Sequence, residues 1–336
     1  MTIDKNSVPD VSVVAPCFNE EENLPEFVDR MRRSCEQISP GSFEIVLVND
    51  GSRDRSWACI KAVAMRHAEV VGVNLSRNHG HQLAVSAGLS LARGQRVLVI
   101  DADLQDPPEL LSAMMTRMNQ GYDVVYARRS RRPGETKFKL VTAWIYYRIL
   151  KKLSDVDIPR DVGDFRLLSR RIVNRLLAMP EQDRYLRGMV AWLGGAQSEL
   201  LYDRDPRARG QSGYNLFRML HLASTGVTSF STSPLRIASI MAGVGAVAAC
   251  AIGLYAIIGY LLGRVEPGWT SLALIMVFFS TVQLACLGIL GAYVGRTFLQ
   301  VKGRPLFLID EIISAGNTNL RPSPVFEPLE VFRGDR

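Results

Sequence analysis

The stretch VLVIDADLQDPPEL (Val97–Leu110) runs four apolar residues directly into the acids Asp101 and Asp103. Four consecutive apolar residues are typical of a buried strand in a parallel sheet. If strand geometry continues to Asp103, the two carboxylates point to the same face, where they repel each other unless a cation lies beside them. The stretch therefore predicts a strand whose end binds a charged ligand. Asp106, which precedes two prolines, is predicted only to cap the following helix.

Apolar runs on both sides of this stretch alternate with helical patterns. Predicted strands lie in the runs Val11–Glu20, Phe43–Ser52, Val70–Ser76, Arg96–Asp103 and Asp123–Arg129, and predicted helices cover about Glu22–Gln37, Asp54–His67, Gly80–Ala92 and Pro108–Asn119. This alternation indicates a parallel sheet covered by helices on both faces. Ligands of such sheets bind at the carboxyl ends of the strands. Asn19 and Asp50 fall at such ends, together with the two acids of the first stretch.

The glycine-rich motifs that hold phosphates in nucleotide-binding folds are missing from the sequence. No G-x-G-x-x-G follows the first strand and no G-x-x-x-x-G-K-[ST] occurs, which counts against a dinucleotide-dependent dehydrogenase and a P-loop NTPase. We therefore expect Mg²⁺ or Mn²⁺ to hold a diphosphate, with Asp101 and Asp103 as the metal ligands. The formal net charge of +7 also indicates an anionic partner, which is a nucleic acid, an anionic lipid or a phosphorylated substrate.

Two uncharged segments, Ile237–Gly263 and Trp269–Gly295, each exceed the roughly 20 residues that cross a hydrocarbon core. A pair of buried helices in a soluble core would need a larger protein around it, so the segments are predicted to form a transmembrane hairpin. Basic residues lie outside this hairpin, and their bias places both of its ends in the cytoplasm. They are Arg236, Arg296, Lys302 and Arg304. Because the first ten residues lack signal-peptide features, we expect a multi-pass protein of the inner (plasma) membrane whose first domain is cytoplasmic.

Two further segments are candidates for helices that lie on the bilayer surface. Thr136–Leu153 mixes aromatic with basic residues, as an interfacial amphipathic helix does, although an ordinary basic surface helix has the same pattern. The second candidate runs from Tyr214 to about Phe230. The predicted organisation is a cytosolic α/β domain (1–213), an interfacial segment (214–234), the hairpin (235–298) and a cytosolic tail (299–336), loosely ordered after about Ile313.

A series of short motifs, taken in order, resembles a known family. They are PCFNEEENL (Pro16–Leu24), NDGSRD (Asn49–Asp54), RNHGHQLAVSAGL (Arg77–Leu89), DADLQDPPE (Asp101–Glu109), GDFRLLSR (Gly163–Arg170), RYLRG (Arg184–Gly188), SFSTSPLRI (Ser229–Ile237) and GAYVGR (Gly291–Arg296). The first domain resembles a family 2 glycosyltransferase of the α/β, Rossmann-like GT-A fold. With the hairpin, the chain resembles the polyprenyl-phosphate glycosyltransferases, which include bacterial undecaprenyl-phosphate glucosyltransferases and dolichyl-phosphate mannose synthases.

The resemblance implies roles for particular residues. Asp50 helps to bind the nucleoside, Asp101 binds the ribose or the metal-bound diphosphate, and Asp103 binds the metal. Catalytic roles are implied for Asp103, for Arg166 and for Asp164, the acid beside the acceptor; alternatively, Asp164 is only an ion-pair partner of Arg166. Further nucleotide-sugar contacts are implied for Pro16, Asn19, Glu20, Ser52, Ala102 and Gln105. Phosphate or acceptor contacts are assigned to Arg128, Arg129, Arg184, Arg207 and Ser212, although some of the arginines after the fifth strand would also suit anionic lipid.

The function implied by the resemblance is inverting transfer of a sugar from a nucleotide sugar, UDP-glucose, to undecaprenyl phosphate, which makes a lipid-linked sugar donor for cell-envelope glycosylation. A phosphate monoester with a second pKa of about 6 is mostly dianionic at pH 7. We therefore expect Asp164 mainly to orient the acceptor or to screen the anomeric centre. Two positions depart from the family pattern, because Gly213 replaces a frequent Lys and Ala292 a frequent Glu.

Several alternatives stay open from the sequence. A GDP-mannose-using mannosyltransferase would share the same motifs, and a nucleotidyltransferase could also use Asp-Ala-Asp with a metal but would release pyrophosphate. A membrane-anchored binding protein without turnover is supported only by Gly213 and Ala292. A nucleic-acid partner is not expected, since the basic residues flank membrane segments and no groove-reading motif occurs. Assembly into a homo-oligomer is left open.

Overall fold

A computed structural model describes residues 8–129, 162–202, 233–262, 268–315 and 317–318 of the chain. These residues belong to two compact units. The first unit contains the described residues up to 202 together with those from 304 onward, and the second contains 233–303. The two predicted interfacial helices, at 136–153 and at 214–230, lie outside the described residues.

The first unit is built on a mixed sheet of nine strands, counted over the described residues. The strands are β1 (Val11–Cys17), β2 (Phe43–Asn49), β3 (Val70–Leu75), β4 (Arg96–Val99), β5 (Val124–Arg129), β6 (Val162–Ser169), β7 (Gln197–Tyr202), β8 (Ile309–Ser314) and β9 (Asn317–Thr318). Their order is β7-β5-β6-β4-β1-β2-β3-β8-β9. Strands β4, β1, β2 and β3 are parallel, whereas β6 runs antiparallel to β4 and to β5.

Helices follow the strands along this unit. They are α1 (Leu24–Ile38), α2 (Ser56–Arg66), α3 (His81–Leu91), a 3₁₀ turn (Pro108–Leu110), α4 (Leu111–Asn119), α5 (Arg170–Ala178) and α6 (Leu186–Leu193). Strands β1 and β2 are buried along their whole length, as their continuous apolar runs predict. On α1, Leu24, Phe27 and Met31 are buried at helical spacing and belong to the core beneath the sheet.

Helix α3 packs very close to the sheet because of a glycine. A Cβ on Gly88 would overlap the Val14 side chain and crowd Val48, so the helix backbone approaches β1 and β2 where a larger residue would hold it away. Because α3 follows the parallel strand β3, its first residues, His81 and Gln82, lie at the carboxyl edge of the strands.

The sequence assigns residues 299–336 to a tail, but part of this segment belongs to the sheet. Strand β8 pairs antiparallel with β3, and the short β9 pairs with β8. Ile312 and Ile313 are buried, and Lys61 on α2 forms an ion pair with Glu311 at 2.8 Å. The prediction of a tail is therefore wrong for Ile309–Ser314, which is a strand of the sheet and buries Ile312 and Ile313.

The second unit contains two long apolar helices, α7 (Ser233–Leu261) and α8 (Trp269–Val301). The windows Ala238–Gly259 and Ile275–Val301 are long and apolar enough to cross a membrane, judged by length and composition. Most of the described side chains on both helices are exposed. The Cys286 thiol lies 3.6 Å from the Ala238 carbonyl oxygen, so the two helices contact each other.

Two local predictions are wrong. Strand β4 ends at Val99, so Asp101 and Asp103 lie in the turn that follows, and strand alternation does not set their direction. Asp106 does not cap the next helix, since neither the 3₁₀ turn nor α4 has a side-chain cap hydrogen bond. Its buried carboxylate instead accepts a hydrogen bond from the Tyr202 hydroxyl.

Candidate active site

The carboxyl ends of β1, β2 and β4 meet at one edge of the sheet, where β1 lies between the other two. Strand β6 begins at the same edge because it runs antiparallel to β4. The strand order reverses between β1 and β4, and such a switch point is where open α/β sheets bind their ligands. Three predicted site residues are thereby brought to this edge: Asp50 after β2, Asp101 after β4 and Asp164 near the start of β6.

Asp50 organises the loop that leads from β3 to α3. Its buried carboxylate accepts hydrogen bonds from the backbone N–H groups of His79, at 2.7 Å, and Gly80, at 3.0 Å. The Asn78 side-chain amide donates to the Asp50 carbonyl oxygen at 3.1 Å. The neighbouring Gly51 has φ +63°, and a Cβ there would overlap the backbone of this loop. Asp50 thus fixes the shape of the loop as well as lying at the predicted nucleoside site.

The loops that follow β1 and β2 bind to each other through Asn19. The Asn19 N–H donates to Ser52 Oγ at 3.0 Å, and the Arg53 N–H donates to Asn19 Oδ1 at 2.8 Å. Asn19 has φ +58°, a left-handed conformation that asparagine tolerates better than most residues. The next residue, Glu20, accepts a hydrogen bond from Asn23 at 2.6 Å. The predicted residues Asn19, Glu20 and Ser52 therefore lie together beside the end of β1, where Pro16 is buried within the strand.

Asp101 carries an oxygen atom whose environment suits a ligand. Its Oδ1 is buried and has no hydrogen-bond partner among the described residues. Burial raises the pKa of Asp101 to about 6; His81 opposes the rise, and the negative charges of Asp164 and Asp103 add to it. Asp103 accepts a hydrogen bond from the Gln105 N–H at 3.1 Å, which fixes the turn. A cation beside Asp101 would relieve both the unbonded oxygen and the repulsion between these acids.

The carboxylates fit a divalent cation in part. Oxygen ligands of this kind suit Mg²⁺ or Mn²⁺. Within the parts of the chain that the structure describes, no group of three or more His, Cys, Asp or Glu side chains has the spacing of a metal site. Asp101 and Asp103 could therefore supply only part of a coordination shell. The remaining ligands would have to come from water and from phosphate oxygens of a substrate, as is usual for Mg²⁺.

Asp164 lies at the centre of a cluster of cationic side chains. The Arg187 guanidinium donates to both of its oxygens, at 2.8 and 2.9 Å, and His81 Nε2 lies 3.1 Å from Oδ2. Burial alone would raise the pKa of Asp164, but Arg187 and His81 hold it well below its usual range. For His81, burial lowers the pKa, but the hydrogen bond to Asp164 and the charge of Asp101 outweigh that effect and raise it to about 9. Asp164 is therefore a stable anion and a weak proton acceptor.

The first turn of α3 contacts both Asp164 and Asp101. His81 Nε2 lies 3.1 Å from Asp164 and 3.7 Å from Asp101, between the two carboxylates. Gln82 donates to Asp164 at 3.5 Å and accepts a hydrogen bond from the Leu186 N–H at 3.0 Å, where α6 begins. These contacts fix the position of α6 and hence of Arg187.

Sequence reasoning missed His81 and Arg187 as site residues, although both lie inside motifs that it singled out. The predicted ion pair between Asp164 and Arg166 is secondary, because these two residues are 3.6 Å apart, whereas Arg187 binds Asp164 in a bidentate manner. Arg166 is buried and donates to the Gly163 carbonyl oxygen at 3.0 Å. In the RYLRG motif, Arg184 was predicted to contact the phosphate or the acceptor, whereas Arg187 is the arginine that binds Asp164.

The other residues predicted to contact phosphate or the acceptor do not join this cluster among the described residues. Arg184 is buried and donates to the carbonyl oxygens of Leu176 and Met179, which engages it in the fold. Arg128 on β5 is exposed and forms an ion pair with Glu199 at 2.8 Å. Arg129 ends β5. Arg207 and Ser212 lie outside the described residues.

Comparison with known proteins gives consistent relatives. Residues 12–177 match the model of glycosyl transferase family 2. The chain is 39% identical to the uncharacterized glycosyltransferase YkcC of Bacillus subtilis over 92% of this chain and 96% of YkcC. It is 38% identical to the bactoprenol glucosyl transferase of Shigella phage SfII over 89% of this chain and 97% of that protein. Among solved structures, the mannosyltransferase PcManGT from Pyrobaculum calidifontis in complex with GDP-Man and Mn²⁺ aligns with a TM-score of 0.44 at 16% identity, over 85% of this chain and 89% of that chain. The similarity to the two sequence relatives extends well beyond residues 12–177.

Proposed function

Because the chain belongs to glycosyl transferase family 2, we propose that it transfers glucose from UDP-glucose to the phosphate of undecaprenyl phosphate. The similarity to a bactoprenol glucosyl transferase over nearly the whole length of that relative supports this choice of sugar and lipid acceptor. The observation that carries the proposal is the buried, unbonded oxygen of Asp101 at the switch point of the sheet, beside Asp103. It lies where the diphosphate of a sugar nucleotide would bind in such a fold.

The donor side of the proposed site is formed by the ends of β1, β2 and β4. We assign Asn19, Ser52 and Asp50 to the walls of the nucleoside pocket, with Pro16, Glu20, Ala102 and Gln105 around them. Asp101 and Asp103 would hold Mg²⁺ or Mn²⁺. When bound, the ion supplies a Lewis acid that stabilises the charge growing on the leaving diphosphate.

On the acceptor side, the bond-forming step needs a nucleophile rather than a base. An oxygen of the acceptor phosphate attacks the anomeric carbon, a new carbon–oxygen bond forms with inversion, and UDP leaves with the electron pair of the broken bond. Because the phosphate is already mostly dianionic at pH 7, no proton has to be removed from it. The low pKa of Asp164 fits this scheme, since a carboxylate paired with Arg187 and His81 is poorly suited to accept a proton.

We therefore propose that Asp164 holds two cationic side chains beside the reacting atoms. Arg187 is about one third exposed, so its guanidinium lies near enough to the solvent-facing side to meet an anionic acceptor. A planar guanidinium carries five N–H donors and suits phosphate as well as carboxylate. Arg129, Arg207 and Ser212 stay proposed acceptor contacts, whereas the buried Arg184 is assigned to the fold.

We also propose that α7 and α8 cross the membrane as a hairpin with both outer ends in the cytoplasm. Their length and apolar composition support the crossing. The basic residues outside the hairpin support the orientation. The lipid acceptor would then be available in the same membrane that anchors the enzyme.

The test is transfer of label from a nucleotide sugar to lipid. Purified protein in detergent is incubated with undecaprenyl phosphate and radiolabelled UDP-glucose, other UDP-sugars or GDP-mannose, with Mg²⁺, with Mn²⁺ or with chelator. We expect metal-dependent, acid-labile label in the organic phase from UDP-glucose. If only GDP-mannose gives labelled lipid, the donor is GDP-mannose and not UDP-glucose. Donor binding without lipid label for every donor and both metals would contradict the proposed reaction and point to binding without turnover.

A further inference from the structure

The segment that follows α8 returns to the sheet and reaches the loop that carries the nucleoside-site contacts. Only six residues separate Val301, the end of α8, from Leu308. Phe307 is buried, and β8 begins at Ile309 and runs antiparallel to β3. The segment is thus seated beside the carboxyl end of β3.

Leu308 makes two hydrogen bonds to the β3–α3 loop. Its carbonyl oxygen accepts from the Ser76 N–H at 2.9 Å, and its N–H donates to His79 Nε2 at 3.4 Å. The loop is therefore held from outside by a backbone segment that lies more than two hundred residues further along the chain.

The same loop is held from inside by the site. The backbone N–H groups of His79 and Gly80 both donate to the Asp50 carboxylate. Gly80 has φ +94° and directly precedes α3, whose first residue, His81, contacts Asp101 and Asp164. His79 therefore has a partner on each side. Its side chain accepts a hydrogen bond from the Leu308 N–H, and its backbone N–H donates to the Asp50 carboxylate.

We propose that His79 and Leu308 form a latch that positions Asp50 and the start of α3 for the sugar nucleotide, so that the segment after the second apolar helix completes the donor site. The inference rests on the proposed function for the identity of the donor. His79 acts here as a positioning residue, because it holds the loop through Leu308 and Asp50.

The alternative is that β8 is only an edge strand that stabilises the sheet. The chain offers a matched control for this alternative. Glu311 lies on the same strand and forms its ion pair with Lys61 on α2, away from the β3–α3 loop. A variant at Glu311 therefore weakens the attachment of β8 without touching the latch.

The experiment compares full-length wild type with His79→Ala, His79→Gln, Leu308→Pro and Glu311→Gln. Calorimetry measures the Kd of UDP in the presence of Mg²⁺, the transfer assay measures KM for the donor and kcat, and thermal unfolding measures stability. Loss of one hydrogen bond to an ordered loop should weaken UDP binding roughly 5-fold in His79→Ala. The KM for the donor should rise by a similar factor while kcat stays near the wild-type value.

Two further comparisons separate the latch from a general effect. His79→Gln should recover part of the affinity, since its amide oxygen can accept from the Leu308 N–H. Leu308→Pro removes that N–H, and the double variant His79→Ala/Leu308→Pro should bind UDP no more weakly than Leu308→Pro alone, because both changes break the same bond.

The result that overturns the latch is a folded His79→Ala variant with wild-type UDP affinity, or a Glu311→Gln variant that loses as much affinity. If wild type binds GDP but not UDP, the proposed donor fails while the same comparison with GDP still tests the latch. If wild type binds neither nucleotide, the donor site and the latch are both overturned.

Discussion

The carboxylate of Asp164 is surrounded by positive charge, and this surrounding decides what the residue can do. Because Arg187 and His81 favour its ionised form, we expect Asp164→Asn to lose less than the roughly 100-fold in kcat at the low end of general-base effects. Its UDP affinity should stay near the wild-type value. Asp103→Asn should lose more than about 100-fold in kcat. Mutation of a residue that only hydrogen-bonds to a metal ligand already costs about 10–100-fold in metal affinity or activity. Initial rates and UDP calorimetry at neutral pH measure both variants.

Equal collapse of the two variants, with UDP binding intact in Asp164→Asn, would contradict this assignment. That outcome would mean that Asp164 takes part in the bond-forming step itself. Thermal unfolding is the control, because an asparagine leaves Arg187 with one neutral acceptor in place of a carboxylate.

Arg187 offers a second test at the scale of one side chain. Replacing it with Met leaves the buried Asp164 carboxylate without its bidentate partner, which should cost about 1–3 kcal/mol of stability and most of the activity. Arg187→Lys keeps the charge but not the planar fork, so we expect intermediate stability and activity. Thermal unfolding and kcat are compared for the two variants. Equal activity of the Met and Lys variants would show that the charge of Arg187 has no part in the reaction.

The acids of the site are predictable from the sequence because each lies in a local pattern. Asp101 and Asp103 follow an apolar run, and Asp50 follows another. His81 and Arg187 have no such local signal, since their role arises from contacts with Asp164 that join three distant parts of the chain. Local patterns place a residue at a strand end, but only tertiary packing decides which cation meets which acid.

At the scale of elements, the apolar runs predict where strands β1 to β4 begin, whereas each predicted run continues past the end of its strand. Strands Val11–Cys17 and Phe43–Asn49 are buried along their whole length, and burial on both faces demands a nearly continuous apolar sequence. Strands β6, β7 and β8 were not predicted, because they lack such runs: polar residues interrupt β6 and β8, and β7 begins with three polar residues. Strand β8 also pairs with a strand more than two hundred residues earlier.

Helix α3 provides a prediction at this scale. Gly88→Ala would gain up to about 1 kcal/mol in helix propensity, but its Cβ would overlap the stiff, buried Val14 side chain. Overpacking of this kind costs about 1–3 kcal/mol, so we expect a net loss of stability together with weaker UDP binding, because α3 carries His81. Ser90→Ala on the same helix is the control and should change stability by less than about 0.5 kcal/mol. Chemical denaturation and UDP calorimetry measure both; a more stable Gly88→Ala variant would contradict the close packing of α3.

For the whole molecule, the predicted α/β, Rossmann-like GT-A fold is confirmed by the sheet order and by membership of glycosyl transferase family 2. The two apolar helices predicted after residue 234 are present as α7 and α8. The linear division into domains followed by a tail did not foresee that the chain re-enters the first unit through β8. Hydropathy identifies segments long and apolar enough to cross a membrane. It does not identify a short strand such as β8, which forms only by pairing with the distant strand β3.

Because the chain after α8 forms β8 in the first unit, the orientation of the proposed hairpin can be tested by labelling on each side of the membrane. If α7 and α8 cross the membrane, β8 must lie on the same side as the catalytic unit that contains it, and the linker 263–267 must lie on the other. We expect Glu266→Cys to react with a membrane-impermeant maleimide in right-side-out vesicles, and Glu311→Cys to react only in inverted vesicles. Both substitutions are made in a Cys59→Ser background, which is also the control, because Cys59 on α2 is partly exposed. Of the other four cysteines, Cys17 and Cys35 are buried and Cys250 and Cys286 lie within the apolar helices. Reaction of both introduced cysteines from the same side would mean that the helices do not cross the membrane as a hairpin.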